Sequence, residues 1–297
     1  MSTTPHRAVV VGVDGSPTAA LAVAWAAEAA QGHDATLRLV AAYRDRPVAE
    51  PRAEAVGLLD AAVTQARRLF PDLVIERMDV PGSPTTVLLS ESEDALALVV
   101  GSRRLGPLHR IFTTSVGRTL AVTAACPVVV VRESPSRSIA DIRVVVGVAG
   151  PESSGELQLA VAEAARYGAG LTAVHVLTAT SRDAATLGAD SRNGELLEGH
   201  AMLRAMLRPL RTAYPDVDVR RYVVDGSVAD RLVAMSENAR LLVLGSGSSG
   251  SASVIGPISR DVLRHSHCPV AVVHAAPPHV ERPAAPTSGN AQNKVLT

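Results

Sequence analysis

Aromatic side chains are nearly missing from this chain, which has two Phe, four Tyr and one Trp among 297 residues. Few rings remain to stack exposed bases. Lys and Arg together balance Asp and Glu at 29 each, and no basic stripe stands out. These two absences argue against a nucleic-acid partner. Cysteine is equally scarce. Cys126 and Cys268 occupy the same place in two similar segments, which reads as two structural thiols in matching cores and not as a disulfide framework. Long apolar runs are also lacking. Even Ala19–Ala30 is interrupted by Glu28, so no membrane span is expected. The opening MSTTPHR has no apolar signal region, and the expected location is the cytoplasm.

What the chain does have is a repetition. Residues 8–17 read AVVVGVDGSP and 143–152 read RVVVGVAGPE. VVGS at 99–102 returns as VLGS at 243–246, and CPVVVV at 126–131 returns as CPVAVV at 268–273. The matching points lie about 135–144 residues apart, so each copy is a whole domain, large enough to bury a core. The expected limits are 7–133 and 141–275. A Ser-, Pro- and Arg-containing linker joins them, and a Pro-, Ala- and polar-rich tail at 276–297 is expected to be disordered. The copies differ where chemistry would be sought: Asp14 of the first is Ala149 in the second.

Within the first copy, apolar strands are expected at Ala8–Val13, Thr36–Ala42, Leu73–Val80, Ala95–Val100 and Val128–Val131. Helices between them open at Ser16-Pro17, near Ala55, at Ser83-Pro84 and near Ser115. Ser caps the free amides, and Pro fits the first turn. Residues 44–54 read as a mobile excursion. In the second copy strands are expected near 142–148, 171–177, 218–224, 240–244 and 270–273, with a longer excursion at 178–193. Strands apolar on both faces, alternating with helices, signal a parallel sheet covered on both sides. The predicted fold class is α/β: two tandem, doubly wound, five-stranded open sheets of Rossmann-like form.

Ligands of such sheets bind beyond the carboxyl ends of the strands, where the strand order switches. Asp14 stands at one such end, and Gly101-Ser102-Arg103-Arg104 at another. Thr114-Ser115 opens a helix whose unpaired amides can hold an anion. A nucleotide would use these groups well. Asp14 would accept from a base or ribose donor, the Gly101 main chain would approach the sugar or phosphates, and the amides at 114–116 with the Ser115 hydroxyl would take phosphate. The same residues also suit a plain structural role, with Asp14 and Ser16 shaping a turn and Gly101 ending a strand.

The combination of VVVGVDGSP, GSRRLG, Thr114-Ser115-Val116 and CPVVVV resembles the universal stress protein family in its tandem form, over about 8–132 and 142–274. The resemblance implies a domain of the adenine nucleotide alpha hydrolase kind. It also implies a loop of form G-x2-G-x9-G-[ST] for ATP, with or without Mg2+, and an aspartate facing the adenine. Gly101 matches the first glycine of that loop, Arg104 stands at the second, Thr114 at the third, and Ser115 closes it. Arg103 or Arg104 could bring charge to phosphate. Val40 matches the apolar residue that the family sets against the adenine. The implied cofactor site is therefore Asp14, Val40, Gly101, Ser102, Arg104, Thr114, Ser115 and Val116. The second copy departs further: Ala149 lacks the carboxylate, Ser248 stands at the second glycine, the spacing to Gly256 is two residues short, and Pro257 removes an amide. The family pattern further implies pairing of the two copies through Val128–Val131 and Val270–Val273, with a homodimer or a protein partner as further options. It implies a stress-response regulator, not a fast enzyme, since no general base or metal cluster is evident. The competing expectation is an interaction protein whose loops no longer hold nucleotide.

Three patterns carry less. Gly245, Gly247 and Gly250 spell G-x-G-x-x-G, but they follow a fourth strand and not the first. His265, His267 and Cys268 lack a second ligand cluster for zinc. No G-x-S-x-G elbow supports a hydrolase.

Overall fold

The computed structural model describes residues 8–43, 50–102, 115–133, 142–178, 189–247 and 255–274. The first copy supplies β1 (Ala8–Gly12), α1 (Pro17–Gly32), β2 (Thr36–Tyr43), α2 (Glu50–Leu69) and β3 (Ile75–Pro81), then α3 (Pro84–Glu91), β4 (Ala95–Gly101), α4 (Ser115–Thr123) and β5 (Val128–Val131). The second supplies β6 (Arg143–Gly147), α5 (Ser154–Tyr167), β7 (Gly170–Leu177), α6 (Ala189–Ala213) and β8 (Val219–Asp225), then α7 (Val228–Ser236), β9 (Ala239–Gly245), α8 (Pro257–His265) and β10 (Val270–Val273). The expected tail at 276–297 lies outside the described residues.

Ten strands form one sheet in the order β3-β2-β1-β4-β5-β10-β9-β6-β7-β8. Within each copy the pairs are parallel, as in β1 with β2 and β4. The two fifth strands meet antiparallel, with Val270 opposite Val130 and Val272 opposite Val128. Four consecutive buried valines in β5 make this edge apolar, and pairing it removes an edge that would otherwise be open.

The sequence explains the local starts. Ser16 and Ser83 accept from the amides of Ala19 and Thr86, each followed by Pro in the first helical turn. Gly82 and Gly226 precede caps at φ +144° and +129°, a region that side chains with a Cβ avoid. Two expectations need correction. The excursion expected at 44–54 is helical from Glu50, and the one expected at 178–193 is helical from Ala189. Pro51 lies in the first turn of α2, where no intrahelical donor is lost, so it does not delay the helix as expected.

Alternation along the strands divides the core. Val9 and Val11 face a layer covered by α1, α2, α5 and α6. Ala8 and Val10 face the α3 and α4 side. A charged cluster ties the copies together beside the first layer. Glu163 of α5 takes His33 at 2.8 Å and Arg166 at 2.6 Å, and Glu28 of α1 pairs with Arg240 of β9. The Tyr167 ring lies beneath both Arg166 and Arg240, 3.8 and 4.5 Å from ring centre to guanidinium. Burial would raise the Glu163 carboxyl, but hydrogen bonds from His33 and Arg166 outweigh it and hold the group below the usual carboxylate range. No helix among the described residues is long and apolar enough to cross a membrane.

Candidate functional site

The strand order 3-2-1-4-5 of the first copy opens a crevice between the carboxyl ends of β1 and β4. Beyond β1 the chain turns at Asp14 and Gly15. Gly15 has φ +74°. The Asp14 carboxylate Oδ1 accepts from the Ser16 amide at 3.0 Å and from the Ser16 hydroxyl at 2.5 Å. The Ser16 Oγ then accepts from the Ala19 amide at 3.1 Å, which caps α1. Asp14 is thus exposed and also organises the turn that starts α1.

Gly101 closes the other side. A methyl group at its α-carbon would lie 2.5 Å from the Thr18 carbonyl carbon and 2.7 Å from the Ala19 amide nitrogen. The end of β4 therefore rests directly on the main chain at the start of α1, and only a glycine permits that approach. Ser102 is buried, and its amide donates to the Val131 carbonyl at 2.8 Å. Val40 is 1% exposed, packed on the α3 side of the sheet. Its side chain thus offers no open face, and its carbonyl accepts from the Val13 amide at 2.8 Å. Ser115 begins α4, with Val116 partly buried behind it. Arg104 and Thr114, with the whole of 103–114 and the Ser115 side chain, lie outside the described residues. The structure thus brings Asp14, Gly101 and Ser102 together at one crevice.

The second copy builds the same place differently. After β6, Ala149 replaces the carboxylate, and its amide donates to the Ser153 hydroxyl at 3.1 Å. A short 3-10 turn over Pro151–Ser153 precedes α5. At the end of β9, a methyl on Gly245 would lie 2.4 Å from the Glu156 carboxylate oxygen Oε1. Burial pushes the Glu156 carboxyl up, and the neighbouring Glu152 charge adds to the shift. The stem of the following loop is closed on itself. The Gly256 amide donates to the Ser246 carbonyl at 3.0 Å, and the Ser259 hydroxyl to the Gly245 carbonyl at 2.8 Å. Glu156 and Ser259 were not singled out from the sequence, because neither adjoins a motif.

Of the G-x-G-x-x-G pattern, Gly247 sits at φ +67° against the Gly256 main chain, and Gly250 lies outside the described residues. His265 and His267 gather no metal set; among the described residues no three His, Cys, Asp or Glu are placed to hold one. Both cysteines are buried, which pushes each thiol up to about 12. They are core groups, not thiolate ligands.

Fold and crevice together define a tandem, doubly wound α/β protein with two unequal switch-point sites. The Universal stress protein family model matches residues 5–132 and 143–274. A universal stress protein of Mycobacterium tuberculosis is 33% identical over 250 residues, covering 82% of this chain and 90% of its own. One from Mycobacterium bovis is 32% identical over 293 residues, covering 90% and 97%. The crystal structure of a universal stress protein from Archaeoglobus fulgidus superposes with a TM-score of 0.68 at 18% identity, over 90% of this chain and 96% of that one. The chain belongs to the universal stress protein family.

Proposed function

We propose that the first copy is an adenine-nucleotide site, that ATP is its ligand, and that the chain is a nucleotide-responsive stress regulator without rapid turnover. The observation that carries this reading is the contrast between the two crevices. In the first, an exposed carboxylate follows β1, and Gly101, seated on the Thr18 and Ala19 main chain, ends β4 with no carboxylate beside it. In the second, the aspartate is absent and Glu156 stands beside the matching glycine. A carboxylate there repels phosphate, and the Gly256 amide is already engaged. The first copy's groups suit the ligand: Asp14 would accept from a base or ribose donor, the Gly101–Ser102 main chain would border the sugar, and the α4 start would take phosphate. The phosphates would be held by electrostatics at that helix start, with or without Mg2+.

The engagement of Asp14 with Ser16 favours the second reading, an interaction protein without nucleotide, because that carboxylate already has a structural task. One experiment separates the two. The purified chain is denatured and any released nucleotide identified by chromatography. ATP is then titrated into the wild type and into Asp14→Asn, which keeps the shape of the turn. Binding that weakens at least tenfold in the variant supports the nucleotide reading. No released nucleotide and no titration signal at millimolar ATP would contradict it.

A further inference from the structure

The two outer edges of the sheet carry matching grooves of different charge. From the ends of α2 and α6 through β4 and β9 the copies run 144 positions apart, with Ile75 opening β3 and Val219 opening β8. In the first copy, Arg77 of β3 pairs with Asp60 of α2 across the groove between strand and helix. The same two places in the second copy hold Arg221 and Arg204. Arg208 stands where Thr64 does, Arg211 matches Arg67, and Thr212 replaces Arg68. An attraction across the groove has become a repulsion between like charges.

The second groove is a cleft of about 280 Å³ lined by these four arginines, with Leu207 and Val219 as its apolar part. Leu207 is buried, while the four arginines are exposed. Among the described residues none of the four guanidiniums pairs with a carboxylate. Asp218, adjacent to β8, is engaged by Arg143 at 2.7 Å and Arg220 at 3.4 Å. Arg204, Arg208 and Arg211 lie on successive turns of one helix face and span roughly 10 Å along its axis. Four unneutralised forks in so short a space cost stability unless an anion joins them.

We propose that this cleft binds a compact anion with two or more linked phosphate groups. Guanidinium forks fit phosphate oxygens two at a time. An extended acidic peptide rises about 3.3 Å per residue with alternate side chains facing away, so a span of this length would offer the groove only one or two carboxylates. Linked phosphates place more charge in the same span. The site lies on the outer edge of the second copy and does not depend on nucleotide binding in the first.

The test titrates sodium tripolyphosphate into the full chain at constant ionic strength, by calorimetry and by thermal shift. The wild type should bind saturably and melt higher with ligand. Arg204→Asp restores the aspartate–arginine pair of the first copy, so it should fold at least as stably without ligand while binding at least tenfold more weakly. Arg221→Gln is the second variant and should also lose affinity. Equal binding by wild type and both variants would overturn the inference, as would no saturable binding by the wild type. Loss of binding in Asp14→Asn but not in Arg204→Asp would also overturn it, by placing the anion in the first crevice. A glutamate-rich peptide that displaces tripolyphosphate at lower concentration would overturn it in favour of an acidic protein segment. Competition by ATP, measured in the Asp14→Asn chain, supports a cleft that reads the phosphate chain in either carrier.

Discussion

Replacing Gly101 by alanine tests the packing that forms the crevice. The added methyl would sit 2.5, 2.6 and 2.7 Å from the Thr18 carbonyl carbon, the Thr18 oxygen and the Ala19 nitrogen, where ordinary contacts lie at 3.4–4 Å. All three atoms are main chain, so no side chain can rotate out of the way. The start of α1 must retreat from β4 by about 1 Å, and overpacking of this kind costs about 1–3 kcal/mol. For a cooperative unit of 150–250 residues that is a fall in Tm of roughly 2–12 °C. Gly245→Ala is the internal control. Its methyl meets the end of the Glu156 side chain, 2.4 Å away, and that carboxylate can swing aside. The expected cost is below about 1 kcal/mol. Urea midpoints and thermal melts of the two variants, side by side, decide the matter. A neutral Gly101→Ala, or a Gly245→Ala that costs as much, would refute the packing argument. The same displacement should make Gly101→Ala lower ATP affinity far more than Gly245→Ala does.

Two further outcomes follow from the charged groups. An acid held above its usual range favours the fold only while protonated, so ionised Glu156 weakens the fold at neutral pH. Glu156→Gln should therefore stabilise the chain at pH 7, by under about 1 kcal/mol after solvent screening, and the gain should vanish as pH falls below the carboxylate range; urea midpoints at pH 7 and pH 4 measure it. Glu163 has the opposite sign. Its depressed carboxyl contributes stability above the ordinary carboxylate range, and that contribution is lost as pH falls through its folded value. Glu163→Gln should cost about 3 kcal/mol at pH 7, because Arg166 and His33 lose their buried partner, and the variant should show a flatter acid limb in a melt series from pH 7 to 3.

The fold was readable because its signals are local. Ser-Pro pairs mark helix starts, and runs such as Val128–Val131 are apolar on both faces, as buried parallel strands must be. The early start of α2 was missed because Pro51 looks like a breaker, yet it falls in the one turn that tolerates it. At the site, Asp14 and Gly101 were singled out as end-of-strand residues, but their packing was not legible. That Gly101 rests on Thr18 follows from the crossing of two elements, which no spacing encodes. Val40 carried an apolar signal that serves the core equally well. Glu156 and the arginine cleft escaped notice for one reason: each joins side chains from separate elements. Arg204 and Arg221 belong to a helix and a strand, so the balanced total charge hid their concentration on one edge.

The two copies of one fold are unequal, and the proposed nucleotide site belongs to the first alone. The most direct test is the stoichiometry of ATP binding by calorimetry, on the Arg204→Asp chain so that the outer cleft does not contribute. The expected result is one ATP per chain, lost in Asp14→Asn and unaffected by Gly245→Ala. Two ATP per chain, or one that survives Asp14→Asn, would contradict it.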